Sequence, residues 1–469
     1  MAFDIKALTE EAEALQKAGR VAECIALHRR IVSGAPRSGV AAHNLASALA
    51  NTGRWREAEA SAREAFARGL DAPETWLVLA HCLQGQVRWE EAADAYRQAI
   101  ARRPSYYQAH TELAQMRWMR AGDVDEALRD LDAAIDAYAD PKLSITKFKI
   151  LKDVGREADA YALVLRLAQT MPDDGVVLTA AAQAASAAGR TVDAVTFAER
   201  AAALWPDDGI VLGALATAYL GCGQIAHAAA AIEKLRAKQP QDQFALALQA
   251  TAWRLFGDER YRALYDYDAL VYAQWLDTPA GWTDREAYVA DLRAALASVH
   301  VYKTHPFNQS IRHGSQVPNV LQQEHRAIQA LPQALDGPIK RYIAKLGRGA
   351  DPLRARNAGD YAFQGMWSIR MGAGGMHVNH VHPEGWISSA CYIDVPRTMD
   401  GREGWIKFGE PGISTLPALT PEHFIEPAPG KLVLFPSYMW HGTVPYTDPS
   451  PRMTVAFDLT PQALGGASG

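Results

Sequence analysis

The sequence predicts a multidomain α + β chain: an N-terminal α-solenoid of helix pairs, then an antiparallel β-barrel or jelly roll braced by supporting helices. Three observations carry this expectation. A 34-residue repeat runs through the first half, the residue grammar changes after Gly257, and short strand-like segments follow one another from Tyr361 onward. At 469 residues the chain also exceeds what one hydrophobic core usually holds, so more than one domain is expected.

The repeat is marked by a turn residue at Gly19, Gly53, Val87, Gly122, Gly155, Gly189, Gly223 and Gly257, spaced 34, 34, 35, 33, 34, 34 and 34 apart. Five positions on stands Ala58, Ala92, Ala127, Ala160, Ala194 and Ala228, with Cys24 in the first unit. Proline follows the turn by seventeen at Pro36, Pro104, Pro172, Pro206 and Pro240. Each mark has a physical reason. Glycine lets the chain reverse between antiparallel helices. A small side chain lets the helices approach closely, and proline stops the second helix. An ordinary helical bundle has no cause to hold register over seven units. The pattern resembles the tetratricopeptide repeat, whose stacked helix pairs form a superhelix with a concave groove for a peptide or partner protein. Small modules use the same repeats for dimerisation, so a homodimer is a further expectation. "LHRR", "QMRWMR" and "FAER" read as solvated helix faces.

Residues 1–258 are therefore taken as the solenoid and 259–469 as a second domain, with a helical lead-in over 259–350 and a β-barrel over 351–469. "DERYRALYDYDALVYAQWLDTP" loses the repeat marks, while "DREAYVADLRAALASVH" and "QALDGPIKRYIAKLG" keep helical periodicity. "YAFQGMWSIRM", "WISSACYIDV", "GWIKFG", "KLVLFP" and "RMTVAFDL" read as strands, punctuated by "GAGG", "EPG" and "PAPG" as turns.

Composition excludes several classes. With 49% apolar and 22% charged residues the chain is of ordinary globular type. A net charge of -5 without a basic tract argues against nucleic acid. No run of eighteen apolar residues is present, so no membrane span is expected. "MAFDIKALTEEAEALQKAGR" lacks the apolar core of a signal peptide. Cys24, Cys82, Cys222 and Cys391 are scattered with no CxxC spacing, which fits a reducing cytoplasm.

The chemistry concentrates in "HVNHVHPEGW", residues 377–386. In an extended strand residues two apart share a face, so His380 and His382 point together, and His377 joins them only if the chain bends. A third imidazole is available from His441 in "FPSYMWHGTVP". Three histidines converging from two places suit iron or zinc. Eleven residues beyond His441 comes Arg452, which shares a strand face with Thr454. A planar guanidinium fork suits a carboxylate, so a metal beside this pair suits a chelating keto acid with a distal carboxylate. Tyr392 has the parity of His380 and is a candidate contact to that cosubstrate. Trp367, Trp386 and Trp440 are candidate pocket walls. Asn308, Gln309, Ser310 and Gln316, with Trp386, are candidates for a substrate rim, although caps and turns would use the same polar residues.

These stretches, with "THPFNQSIRHGSQ" and "GWIKFGEPG", are similar to the 2-oxoglutarate and Fe(II)-dependent oxygenases, and more closely to bacterial tetratricopeptide-repeat proteins that end in such a domain. The resemblance implies a double-stranded β-helix fold and, as cofactors, Fe(II), 2-oxoglutarate and O2. It implies hydroxylation of an unactivated C–H coupled to 2-oxoglutarate decarboxylation to succinate and CO2. In that superfamily the ligands are usually His-x-Asp/Glu plus a distal histidine, and an arginine about ten residues later grips the distal carboxylate. His380, His441, Arg452 and Thr454 match those roles, whereas His382 stands where a carboxylate is usual. An alternative frame, His382-Pro383-Glu384, restores the carboxylate. The expected substrate is a protein or peptide presented by the repeat groove. A small-molecule oxygenase with docking repeats and a non-catalytic adaptor with a relic barrel are the alternatives.

Overall fold

The computed structural model describes residues 4–397 and 400–463. The described chain divides into two compact units within the repeats, one of residues 4–117 and 125–146, the other of 118–124 and 147–463. In the first unit, helix Ile5–Lys17 packs on Val21–Gly34, Gly39–Ala50 on Trp55–Ala67, and Pro73–Gly85 on Trp89–Arg102. In the second, Gly175–Ala187 pairs with Thr191–Leu204, and Gly209–Gly221 with Ile225–Lys238. A last repeat helix, Gln243–Phe256, follows.

The repeat marks do what their chemistry requires. All seven turn glycines have φ between 70° and 79°, and Val87 takes φ 64° in the same place. Cys24 and the alanines five positions on are at most 2% exposed, each at a helix crossing. Helix starts are capped by Asp174, Asp208 and Asp242, whose carboxylates accept from the backbone amides of Val177, Val211 and Ala245.

The second unit also holds, among the described residues, nine strands: β1 (Tyr272–Trp275), β2 (Ile311–Val317), β3 (Gly359–His377), β4 (Ile387–Asp394), β5 (Ile406–Phe408), β6 (His423–Ile425), β7 (Lys431–Pro436), β8 (His441–Thr443) and β9 (Arg452–Ala463). A six-stranded antiparallel sheet runs β1-β7-β4-β9-β3-β2, and a smaller sheet runs β6-β5-β8. Helices Arg285–Val299 and Leu331–Leu346 brace the larger sheet. One core joins them, including Leu292, Leu335, Tyr342, Cys391, Leu434 and Phe457.

Two expectations need correction. The segment 259–350 is not wholly helical: β1 and β2 lie in it and form both edges of the larger sheet. Both are short and lack strict alternation, so periodicity could not mark them. "GAGG" is not a turn between strands either. It lies within β3, where the pairing skips from Arg312↔Met376 to Gly314↔Met371 and the extra residues bulge out. There Gly374, at φ 76°, donates its amide to Tyr446 O at 2.7 Å.

Candidate metal centre

His380 and His382 converge, although not on a regular strand. The chain leaves β3 at His377, and residues 378–386 form a loop. His380 makes an isolated antiparallel bridge with His441, its amide donating to His441 O at 2.8 Å and His441 N to His380 O at 3.1 Å. Directly opposed residues project to the same side, which brings these two rings to 4.2 Å between centroids. His382 is held by its own amide, which donates to Ser437 O at 2.9 Å. Glycine makes the loop's close packing feasible: a Cβ on Gly412 or Gly442 would collide with Asn379.

The rings are oriented through their far nitrogens. Nδ1 of His380 lies 2.8 Å from Val378 O, Nδ1 of His441 2.9 Å from Met439 O, and Nδ1 of His382 2.7 Å from Asp458 Oδ2. Two of these partners are carbonyls that can only accept, and the third is a carboxylate, so each Nδ1 carries a proton, and the neutral ring presents its lone pair at Nε2. One ligand atom from each ring falls within 4.8 Å of the others. The Nε2 atoms of His380 and His382 face each other at 3.2 Å. Two lone pairs at that distance repel, and either a proton on one ring or a metal ion between them removes the repulsion. Burial, helped by the neighbouring imidazoles, pushes the His380 pKa down to about 3 and that of His441 well below its ordinary value. His380 and His441 are therefore neutral imidazoles, the form that binds metal.

The rival ligands lie elsewhere. His377 points Nδ1 at Ser310 Oγ, 2.8 Å away, and Glu384 Oε2 accepts from Gln364 Nε2 at 3.2 Å. Neither joins the cluster of three.

A cavity of about 550 Å³ opens on the cluster. β9 lines it with Arg452, Thr454, Ala456 and Asp458, one face of the strand. Arg452 is 2% exposed. Its guanidinium carbon lies 5.3 Å from the centre of the Tyr392 ring, and Nη1 meets Met371 Sδ at 3.6 Å. Its Nε has no hydrogen-bond partner, and no ion pair to it occurs among the described residues. The Tyr392 hydroxyl, also buried, lacks a partner too, and Tyr392 sits directly across from Thr454 in the sheet. Burial raises the Tyr392 pKa and Arg452 pulls against it, so the hydroxyl remains a donor. A buried cation beside an unpartnered hydroxyl has the chemistry to receive an anion.

Among the other candidates, Asn308, Gln309 and Gln316 line the cavity, and the Gln316 side-chain oxygen is buried without a partner. Trp367 lines it as well, its ring stacked near His382 at 6.1 Å. Trp386 does not form a rim. It is 0% exposed in the core, with Nε1 donating to Leu353 O at 2.9 Å. Trp440 is also a core residue, donating to Thr251 Oγ1 at 2.9 Å. Both follow burial, the commoner role of tryptophan.

Sequence reasoning missed Asp458, which accepts from His382 and from Ser388 Oγ at 2.7 Å. Burial raises its pKa, but the charge and hydrogen bond of His382 and the bond from Ser388 outweigh that, holding the carboxyl below its usual range. Extending the Arg452–Thr454 parity by two more steps along β9 would have found it.

Comparison with known proteins agrees with both parts of the chain. Residues 365–458 match the family model described as "Putative 2OG-Fe(II) oxygenase", and residues 185–252 match the tetratricopeptide repeat. No curated protein matches the chain. Similar solved structures include a tetratricopeptide repeat protein from Parabacteroides merdae ATCC 43184, at 14% identity, covering 53% of this chain and 98% of its own with a TM-score of 0.35. The C-terminal part of a TPR repeat-containing protein from Cytophaga hutchinsonii is 15% identical over 51% of this chain and 98% of its own, with a TM-score of 0.36. The first TPR of Spaghetti (RPAP3) bound to an HSP90 peptide is 21% identical over 24% and 89%, with a TM-score of 0.23. The chain thus joins tetratricopeptide repeats to a domain that matches the 2OG-Fe(II) oxygenase family.

Proposed function

We propose that the chain is a 2-oxoglutarate- and Fe(II)-dependent dioxygenase that hydroxylates a protein or peptide. The observation that carries this reading is the pairing, in one cavity, of three inward Nε2 lone pairs with the unpaired guanidinium of Arg452. The residues fit both groups. Facing imidazole lone pairs call for a cation, and a buried guanidinium with an open Nε calls for a carboxylate. His380, His382 and His441 would hold the iron, and Arg452, Thr454 and Tyr392 the distal carboxylate of the keto acid. When bound, the iron and keto acid together supply the oxidising equivalent for C–H hydroxylation, with O2 as oxidant and succinate and CO2 as products. The chain's own part is to orient the keto acid and to keep the centre dry. Ile406, Phe435 and Trp367 wall the cavity with apolar surface.

A polypeptide substrate is favoured by a second cavity of about 790 Å³ between repeat helices and the β-domain. Ile210, Thr217, Gln183 and Phe244 line its repeat side, and Arg312, Val378 and Pro383 its other side. Pro383 belongs to both cavities. A groove leading to the metal loop suits an extended chain that offers one side chain to the centre. The test is titration of 2-oxoglutarate into anaerobic Fe(II)-loaded protein, followed by air and a peptide library. A visible charge-transfer band and then succinate are expected, with a +16 Da product on a peptide. Iron bound with no band and no succinate would refute the assignment.

A further inference from the structure

The three imidazoles differ in what stands behind them. Two are backed by neutral backbone carbonyls, Val378 O behind His380 and Met439 O behind His441. Only His382 is backed by a side-chain carboxylate, Asp458. That carboxylate is itself fixed. Oδ2 takes the His382 proton side at 2.7 Å, Oδ1 accepts from Ser388 Oγ at 2.7 Å, and Ser388 Oγ also lies 2.9 Å from Ser437 Oγ. Ser437 O in turn accepts the His382 amide. Ring and backbone of His382 are thus tied into one network across β4, β9 and the loop after β7.

We infer that Asp458 is a positioning residue that makes His382 serve as an anionic ligand, supplying from behind the charge that a directly coordinated carboxylate would bring. This rests on the metal reading above. A carboxylate accepting from Nδ1–H fixes the tautomer and raises the basicity of Nε2. A carbonyl does the first and little of the second. His382 is also the position at which a His-x-Asp/Glu pattern would place its carboxylate. The charge is conserved while the ligand atom changes from oxygen to nitrogen. The arrangement assigns Ser388 a role as well: its bond to Oδ1 restrains the carboxylate while Oδ2 faces His382.

Metal affinity and spectrum, rather than turnover, test this. The full chain is titrated anaerobically with Fe(II), and with Co(II) as a spectroscopic probe. Asp458→Asn keeps an acceptor of the same shape and removes the charge, and Asp458→Ala removes both. Asp458→Asn should weaken Fe(II) and Co(II) binding roughly 10–100-fold and shift the Co(II) ligand-field bands, and Asp458→Ala at least as much. A merely structural aspartate would lower the melting temperature of metal-free protein and leave the affinity and spectrum of its folded fraction unchanged. That result overturns the inference. If Asp458→Asn does not fold, Ser388→Ala decides. It keeps the charge but frees the carboxylate, and should weaken Co(II) binding several-fold; unchanged binding overturns the inference. Wild-type protein that binds neither ion would instead refute the metal reading itself, so the two failures are distinguishable.

Discussion

Replacing Arg452 by lysine separates the anion receptor from the metal site. In the structure the guanidinium is buried beside the Tyr392 ring, its Nε has no hydrogen-bond partner, and Arg452 lines the cavity. A keto acid's distal carboxylate would gain charge-assisted bonds there, each worth about 1.5–3 kcal/mol. Lysine keeps the charge and loses the planar fork. At about 1.4 kcal/mol per factor of ten, losing one such bond raises the dissociation constant of 2-oxoglutarate roughly ten- to a hundred-fold. Iron affinity stays unchanged, because Arg452 is not a ligand. Thermal unfolding of the Fe(II) protein reads this directly. Ligand at a hundred times the wild-type constant stabilises wild type by about 2.7 kcal/mol. A variant weakened a hundredfold would gain only about 0.4 kcal/mol at the same concentration. Arg452→Met, which removes a buried unpaired charge, should raise the stability of ligand-free protein while abolishing the shift. An Arg452→Lys variant that binds 2-oxoglutarate as tightly as wild type would refute the placement of the carboxylate.

His380→Ala, His382→Ala and His441→Ala should each lose iron in anaerobic metal analysis, whereas Glu384→Ala and His377→Ala should retain most of it; the reverse pattern would restore the His382-Pro383-Glu384 frame. Burial holds the pKa values of His300 and His305 down to about 4. Their contribution to stability is therefore full above about pH 6.5 and is lost as pH falls toward 4. Metal-free protein should melt progressively lower across that window, and His300→Asn should flatten the slope. Val87, half exposed at φ 64°, carries a left-handed penalty of about 1–2 kcal/mol, partly offset in glycine by its greater chain entropy. Val87→Gly should stabilise the protein by about 0.5–1 kcal/mol in denaturant melts. A chain beginning at residue 259 loses Leu246, Ala247 and Ala250 from the β-domain core and should be insoluble, while one beginning at Pro206 should fold and bind Co(II).

Much of the fold was legible because its determinants are local. Gly19 acts through its backbone conformation and Ala58 through its burial, so spacing alone reveals them. β4, β7 and β9 were legible because burial imprints apolar segments on them, and β3 shows this only in its middle, where Met366, Ile369 and Met371 are buried. β1, β2, β6 and β8 are short pieces whose pairing comes from distant partners, such as Tyr272 with Leu434, and nothing local announces that. The site divides in the same way. Arg452 and Thr454 were readable by parity on a regular strand. His380 and His382 were placed together by a strand argument, yet the structure holds them through a loop, the bridge to His441 and the bond to Ser437. Trp386 reads as a pocket wall and rim residue from its place beside the histidines, but that place does not tell a cavity wall from the core, where the structure buries it.

The same contacts explain why the last repeat helix cannot be treated as a separate attachment. Gln243 N donates to Pro383 O at 3.4 Å, the residue after His382, and Thr251 Oγ1 accepts from Trp440 Nε1, the residue before His441. Phe244 meets Trp440 edge to face at 6.1 Å, and Arg254 Nη1 donates to Gly409 O at 2.8 Å, beside the end of β5. Both histidine-bearing segments are therefore braced from one helix, Gln243–Phe256. That helix also faces the larger cavity through Phe244. Rigid support of this kind matters because metal geometry tolerates little displacement, and loops by themselves supply little rigidity. The repeat helix gives the loop the rigidity that a strand would otherwise have provided.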